Sequence, residues 1–115
     1  MEGKKLIVTS SRTRQVINLA EVQYLELSDH QITAHLETAS FRFYNSLSEL
    51  TKALEEEGFA RIHRAVLIPL ERVEKIGRSE VRLKGLIKPL PVGSGYEKSF
   101  KKLLSEKGFI FFPSR

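Results

Sequence analysis

Apolar and polar residues alternate in short runs over the first 27 positions, which is the pattern of β-strands. The β-branched runs 5–11 (KLIVTSS) and 13–19 (TRQVINL) are separated by turn-forming residues and predict an opening hairpin. Residues 22–27 (VQYLEL) predict a third strand, and the polar residues 28–30 (SDH) predict the tight turn that ends it.

The alternation is stricter in the next two runs. In residues 31–38 (QITAHLET), the even-numbered positions through Leu36 are apolar and the odd-numbered positions are polar, so a half-buried strand is predicted. Residues 40–45 (SFRFYN) repeat this pattern, with two phenylalanines pointing inward and with Arg42 and Tyr44 pointing outward.

The spacing of apolar residues changes to three and four in residues 46–58 (SLSELTKALEEEG), which predicts an amphipathic helix. Ser46 and Glu49 have the spacing of a capping box at its start. Gly58 stands where a helix often needs a residue in the left-handed conformation after its last turn.

Strands are predicted again after this helix. Residues 59–68 (FARIHRAVLI) are interpreted as one continuous strand ended by Pro69, and three shorter strands follow before residue 93. Residues 93–108 (GSGYEKSFKKLLSEKG) predict a second amphipathic helix with a capping box at Ser94 and Glu97. The pattern as a whole predicts a mainly β, strand-rich α+β fold with two short helices.

The composition is that of one ordinary globular domain, which we expect to span residues 1–115. Hydrophobic residues make up 41% of the chain and charged residues 29%. Cysteine is absent, which excludes disulfides, thiolate metal sites and thiol catalysis. No segment resembles a signal peptide or a membrane span, so we expect a cytoplasmic protein that does not associate with membranes.

Positive charge is concentrated in the second half of the chain. Residues 1–57 contain six Lys or Arg and nine Asp or Glu, a balance of −3. Residues 58–115 contain thirteen and five, a balance of +8, which makes up the overall net charge of +5. This asymmetry favours a polyanionic partner such as nucleic acid, and a merely solubilising surface is the alternative.

Motifs for catalysis and metal binding are absent from the sequence. His30, His35 and His63 lack metal-ligand spacing, and there is no GxSxG, P-loop or GxGxxG motif. The glutamates at 55–57 are interpreted as solvated surface at a helix end. We therefore predict no enzymatic activity and no cofactor. A helix-turn-helix is also excluded, because residues 59–92 separate the two predicted helices.

Residues 58–76 (GFARIHRAVLIPLERVEKI) resemble the signature of the LytTR DNA-binding domain. In that signature, a strand of the form F-x-R-x-H-[RKN]-[SA] continues into an apolar stretch and then a polar turn. The resemblance extends through residues 17–37 (INLAEVQYLELSDHQITAHLE), 46–54 (SLSELTKAL) and 90–104 (LPVGSGYEKSFKKLL). The order and spacing of these blocks match the family over nearly the whole chain.

The resemblance implies an elongated arrangement of small antiparallel β-sheets with short helices. Members of the family are bacterial transcription regulators, in which this domain is the effector of a response regulator and its loops enter successive major grooves. Sequence-specific binding of double-stranded DNA, at repeated half-sites occupied by two copies, is therefore expected. A receiver domain or a sensor is the partner that the family implies. A different class of function, a β-rich interaction module whose basic face binds an acidic protein, is the alternative.

By the same resemblance, His30 in the turn after the YLEL strand is a base-reading residue, and Arg64 after the signature histidine is another. Arginine suits guanine, whose O6 and N7 atoms accept both arms of a guanidinium group. The family's third reader is an arginine before the last helix, where this chain has residues 93–96 (GSGY). Only Ser94, Tyr96 and backbone N–H groups remain there to contact DNA.

The full set of predicted DNA-binding residues is His30, Arg42, Tyr44, His63, Arg64, Ser94, Tyr96 and Lys98. Several have structural alternatives: His30 hydrogen-bonds within its own turn, His63 orients its loop, and Lys98 lies on a solvated helix face. Arg61 is predicted to support the first helix by pairing with its glutamates. Residues 109–113 (FIFFP) form either a final strand on the core or a surface for a partner.

Overall fold

The computed structural model describes residues 3–113 of the chain. Over this range it contains ten strands and two α-helices, joined in four places by short 3-10 turns. The strands are β1 (Lys5–Ser10), β2 (Thr13–Asn18), β3 (Val22–Ser28), β4 (Gln31–Leu36), β5 (Ser40–Phe43), β6 (Phe59–His63), β7 (Val66–Pro69), β8 (Val73–Ile76), β9 (Glu80–Leu83) and β10 (Leu90–Pro91). The helices are α1 (Leu47–Leu54) and α2 (Glu97–Glu106).

The strands form three antiparallel sheets. A central sheet has the order β5-β4-β3-β7-β6, the hairpin β1-β2 forms a second sheet, and β10-β9-β8 form a third. The molecule measures 55 × 35 × 26 Å along its principal axes and is therefore elongated. The predicted fold class, a strand-rich chain with small antiparallel sheets and two short helices, is confirmed.

Both faces of the central sheet are covered. Because successive side chains of a strand point to opposite faces, β7 contributes Leu67 to one hydrophobic cluster and Ile68 to the other. The β1-β2 hairpin and α1 cover the first face, and the third sheet and α2 cover the second. The prediction of a half-buried strand at 31–38 is consequently wrong in part. Thr33, on the face expected to be polar, is only 9% exposed.

The first helix starts and stops largely as its sequence predicts. The hydroxyl of Ser46 accepts a hydrogen bond from the backbone N–H of Glu49 at 3.2 Å, and Gly58 has a φ of 88°. The helix itself ends at Leu54, and the three glutamates that follow form a 3-10 turn. The ammonium group of Lys4 lies 3.0 Å from a carboxylate oxygen of Glu57, the last of these glutamates.

The second helix begins differently from its prediction. Ser94 lies in a 3-10 turn that precedes α2, and no side chain of residues 3–113 caps the first turn of the helix, so the predicted capping box is wrong. The Tyr96 N–H donates to the Gly93 carbonyl at 2.9 Å, and this bond closes the 3-10 turn. At the other end, Gly108 has a φ of 96°, and the N–H of Phe109 donates back to the Leu104 carbonyl.

The segment predicted as one strand at 59–68 is two strands. β6 and β7 pair antiparallel as a hairpin, with His63 opposite Val66, and Arg64 and Ala65 form the two-residue turn between them. The apolar tail also differs from its predicted strand: residues 109–113 belong to no strand. The left-handed residue Gly108 directs the tail back towards α2, and Phe111 borders a cavity lined in part by Phe100.

Tyr24 on β3 makes stability depend on pH in alkaline solution. Its ring stacks on that of His35, with centroids 4.3 Å apart, and burial raises the pKa of Tyr24 above its usual 10.0, helped by the charge of Glu26. A raised folded-state pKa means that the neutral phenol stabilises the fold below the unfolded-state pKa. This contribution is lost as the pH rises through the folded-state pKa.

Tyr24→Phe is therefore expected to lose less stability than the wild-type protein as the pH rises above about 10. Denaturant unfolding at each pH measures the effect. Tyr44→Phe is the control, because Tyr44 is 74% exposed. Equal losses in the wild type and in Tyr24→Phe would contradict the assignment.

Candidate nucleic-acid interface

Two hairpin turns lie side by side at one end of the central sheet. Because β3 and β7 are antiparallel neighbours, the β3-β4 turn and the β6-β7 turn lie at the same end of the sheet. The N–H of Leu27 donates to the carbonyl of Ala65 at 2.8 Å and joins the two. An open depression lies between them, and it is lined by Leu27, Ser28, Asp29, His30, Arg61, Arg64 and Ala65. His30 and Arg64, far apart in sequence, thus border one surface.

The β3-β4 turn has an unusual backbone for its sequence. Asp29 and His30 have φ angles of 51° and 65°, so both central residues of this two-residue loop are left-handed, as in a type I′ turn. Such loops favour Asn-Gly, and histidine at the second position carries a steric cost there. The His30 side chain is exposed.

The β6-β7 turn is stabilised by side chains from its own strand. The Ala65 N–H donates to Nδ1 of His63 at 3.0 Å, and the Arg61 guanidinium donates to the carbonyls of His63 and Arg64. His63 therefore orients the turn, as its structural alternative predicts, and its contact with DNA stays a prediction. The Arg64 side chain is exposed and makes no hydrogen bond or ion pair with any residue between 3 and 113.

The segment before α2 lies directly beside this turn. The N–H of Gly93 donates to the carbonyl of Ile62 at 2.8 Å. A Cβ atom at Gly93 would approach the Tyr96 ring to 3.2 Å and the His63 ring to 3.7 Å, so glycine permits the close contact. The Tyr96 ring centroid lies 5.9 Å from Cζ of Arg61, within the range of a cation–π interaction. Ser94, by contrast, is exposed.

Lys98 is exposed in the first turn of α2, next to this segment in sequence. The first N–H groups of a helix are unpaired donors at the positive end of its dipole, so an anion is favoured here. Glu97 at the first position of the helix offsets part of that charge.

Arg42 and Tyr44 lie at the same end of the sheet as the two turns, but beside β5, the edge strand on the far side from β6. Arg42 on β5 is opposite Thr33, Tyr44 follows the end of the strand, and both side chains are exposed. The hydroxyl of Ser10 donates to the Arg42 carbonyl at 3.2 Å, which brings the β1-β2 turn alongside. The exposed residue Arg12 belongs to that turn and was not among the residues predicted from the sequence to bind DNA. The sequence feature that could have drawn attention to Arg12 is that it is a basic residue in the turn of a predicted hairpin.

The opposite end of the central sheet is acidic. Glu37 follows β4, the glutamates 55–57 follow α1, and Glu71 follows β7. A hydrogen bond of 2.8 Å from the Leu70 N–H to the Gly58 carbonyl connects the last two segments. These glutamates disfavour a polyanion at this end, although Glu57 is paired with Lys4 and Glu37 with Arg72, each at 3.0 Å.

The structure thus brings five of the predicted residues together, namely His30, His63, Arg64, Ser94 and Tyr96. It places Arg42 and Tyr44 at the far edge of the same end. Between residues 3 and 113, no group of three or more His, Cys, Asp or Glu side chains is arranged to hold a metal ion. No helix in this range is long and apolar enough to cross a membrane.

The arrangement of turns and helices is shared with known proteins. Residues 12–105 match the family model of the LytTr DNA-binding domain. Among solved structures, the fold is similar to the LytTr DNA-binding domain of a protein described as a methyl-accepting/DNA response regulator from Bacillus cereus. The two have a TM-score of 0.73 and 23% sequence identity, over 89% of this chain and 98% of that chain. No curated protein matches the sequence. Because the family model spans most of the chain, the chain belongs to the LytTR family of DNA-binding domains.

Proposed function

We propose that this chain binds double-stranded DNA sequence-specifically, as the effector domain of a bacterial transcription regulator. The observation that carries the proposal is the juxtaposition of two exposed turns that present His30 and Arg64. Imidazole and guanidinium groups donate to the base acceptors of the major groove, and guanine accepts both arms of an arginine. Neither catalysis nor a cofactor forms part of the proposal.

The dimensions of the molecule support contact with more than one groove. The long axis of 55 Å exceeds the roughly 34 Å of one helical turn of DNA. Residues 1–115 act as one domain in this proposal, and two copies occupy repeated half-sites. A receiver domain or a sensor supplies the signal in this proposal.

Selection of bound duplexes from a random pool tests the proposal directly. We expect enrichment of a short motif with at least one strongly preferred guanine. The affinity for the enriched duplex should fall log-linearly with salt, with a slope of roughly −0.9 for each neutralised phosphate. A pool that shows no enrichment would contradict sequence-specific binding.

The same titration separates the alternative function. An interaction module with a basic face would bind heparin and duplex DNA equally, without preference among sequences. A clear preference for the selected duplex over heparin would favour the DNA proposal instead.

Replacing His30 with glycine is expected to weaken specific binding about fivefold while leaving thermal stability unchanged or slightly raised. The variant removes one hydrogen-bonding side chain, which contributes about 1 kcal/mol. It also suits the φ of 65° at this position. Melting temperature and affinity for the selected duplex are measured together.

Ser11→Gly is the matched control for the backbone effect, because Ser11 has a φ of 57° in another hairpin turn. A His30→Gly protein that binds like the wild type would remove His30 from the interface. A marked loss of stability with unchanged base preference would assign His30 to the turn alone.

A further inference from the structure

Arg61 connects three segments of the fold: the first turn of α1, the β6-β7 turn and the segment before α2. Nη1 of Arg61 donates to the hydroxyl of Ser48 in the first turn of α1 at 2.9 Å. Nη2 donates to the carbonyl of Arg64, and Nε donates to the carbonyl of His63 at 3.4 Å. The Tyr96 ring lies 5.9 Å from the guanidinium carbon. The glutamates of α1, predicted as its partners, are not involved.

The β6-β7 turn depends on these contacts because its own sequence does not favour a turn. Two-residue hairpin loops usually need residues with positive φ, and neither Arg64 nor Ala65 has one. The pairing is irregular between Arg61 and His63, which accommodates the turn. Side chains then satisfy its backbone: His63 accepts from the Ala65 N–H, and Arg61 donates to the Arg64 carbonyl.

We propose that Arg61 is a positioning residue for DNA recognition, which fixes the direction in which Arg64 and Tyr96 leave the fold without contacting DNA itself. The inference rests on the proposed DNA binding. Its basis is that three of the five N–H groups of the guanidinium are used inside the protein. The rigid planar fork that makes these bonds together is particular to arginine, and the ammonium group of lysine cannot reproduce it.

A consequence is that the Arg64 turn and the segment before α2 are coupled. The guanidinium holds the Arg64 carbonyl on one side and the Tyr96 ring on the other. The Tyr96 ring and the His63 ring both lie close to Gly93, so that a Cβ atom there would meet each of them. Loss of the Arg61 contacts is therefore expected to make both the β6-β7 turn and the segment before α2 more mobile.

Arg61→Lys tests the proposal, because it keeps the charge and removes the fork. In the DNA-free protein, we expect amide hydrogen exchange at Ala65 and Tyr96 to become at least about tenfold faster, with the β1-β2 hairpin unchanged. With DNA, we expect about a tenfold loss of discrimination at the base position that depends on Arg64. The slope of affinity against salt should equal that of the wild type.

Arg72→Lys is the matched control. Arg72 donates to the Ala20 carbonyl and to a Glu37 carboxylate oxygen, both at 3.0 Å, at the acidic end of the molecule. Its replacement is expected to leave base preference and exchange at Ala65 unchanged. Should Arg61→Lys fold poorly, Ser48→Ala removes one anchor of the guanidinium and is expected to accelerate the same amides by a smaller factor.

Several outcomes would overturn the proposal. Unchanged exchange at Ala65 and Tyr96 would show that Arg61 does not order these segments. If the slope of log affinity against log salt concentration became smaller by about one while base preference stayed intact, Arg61 would be a direct phosphate contact. Combined with Arg64→Ala, Arg61→Lys should reduce discrimination no further, and a full additional loss would contradict action through Arg64. Absence of DNA binding by the wild type would refute the proposed function, while the exchange measurement would still decide the role of Arg61.

Discussion

Replacing Arg64 with alanine is expected to weaken binding to the selected duplex by roughly 5- to 150-fold, which corresponds to about 1–3 kcal/mol. The side chain is exposed and has no intramolecular partner between residues 3 and 113, so its removal takes nothing from the fold. The loss should be confined to duplexes that carry the preferred guanine. Affinities for the selected and for a scrambled duplex, measured at one salt concentration, give the discrimination directly.

Arg64→Lys separates base reading from simple attraction to phosphate. Lysine keeps the charge but not the bidentate fork, so we expect it to retain affinity for scrambled DNA and to lose preference at one base pair. Lys107→Ala is the control for net charge, since Lys107 lies near Gly58 and Glu71 at the acidic end. An equal loss on selected and scrambled duplexes with Arg64→Ala would make Arg64 a phosphate contact.

The strands of the first half could be predicted because local sequence determines them. β-branched residues, regular alternation and polar turn residues all favour the same elements in β1 to β5. The capping box at Ser46 was equally local, since the hydroxyl and its partner N–H lie three residues apart. What local patterning could not show was the covering of both faces of the central sheet, which buries Thr33.

The β6-β7 hairpin was missed because its turn is stabilised by contacts that leave no turn signal in the sequence. Apolar residues follow Arg64 and Ala65 directly and Ile62 lies two positions before Arg64, and no Gly, Pro or Asn interrupts residues 59–68. The hydrogen bond donated by Arg61 and the one accepted by His63 stabilise the turn in place of a turn-forming residue. Arg61 and His63 are both part of the family signature, but their role in stabilising the turn follows only from the three-dimensional contacts.

The tail and the start of α2 were mispredicted for a related reason. Ser94 and Glu97 have capping-box spacing, yet the bond between Tyr96 and Gly93 places a 3-10 turn there and shifts the helix start. The FIFFP segment has strand-forming composition, but Gly108 directs it along α2 rather than along a sheet edge. In both places a tertiary arrangement overrides a local preference.

The missing third reader of the family leads to the other large expected effect. Residues 93–96 (GSGY) lie beside the Arg64 turn and contain no arginine, so we expect this segment to contact the DNA backbone and to read little sequence. Its available groups are the Ser94 hydroxyl, the N–H donors at the start of α2 and the Lys98 side chain. These bind phosphate oxygens without distinguishing bases.

Gly95→Arg is expected to add discrimination of about 1–3 kcal/mol at one new base position, because it restores a guanidinium fork to this segment. The backbone accommodates the substitution: a Cβ at Gly95 has nothing within 4 Å, and its φ does not require glycine. Gly93 is unsuitable for the same experiment, since a side chain there would displace Tyr96. Selection from a random pool, repeated with the variant, shows whether the preferred site becomes longer.

Gly95→Lys and Gly95→Ala complete the test. Lysine adds the charge without the fork, so it should strengthen binding to all duplexes and leave the selected motif unchanged. Alanine should change neither affinity nor motif, because it adds no donor. If arginine acts only as lysine does, the segment lies over the phosphates and away from the base edges. If neither charged variant alters binding while both remain folded, residues 93–96 do not approach DNA, and the reading surface is confined to the turns of His30 and Arg64.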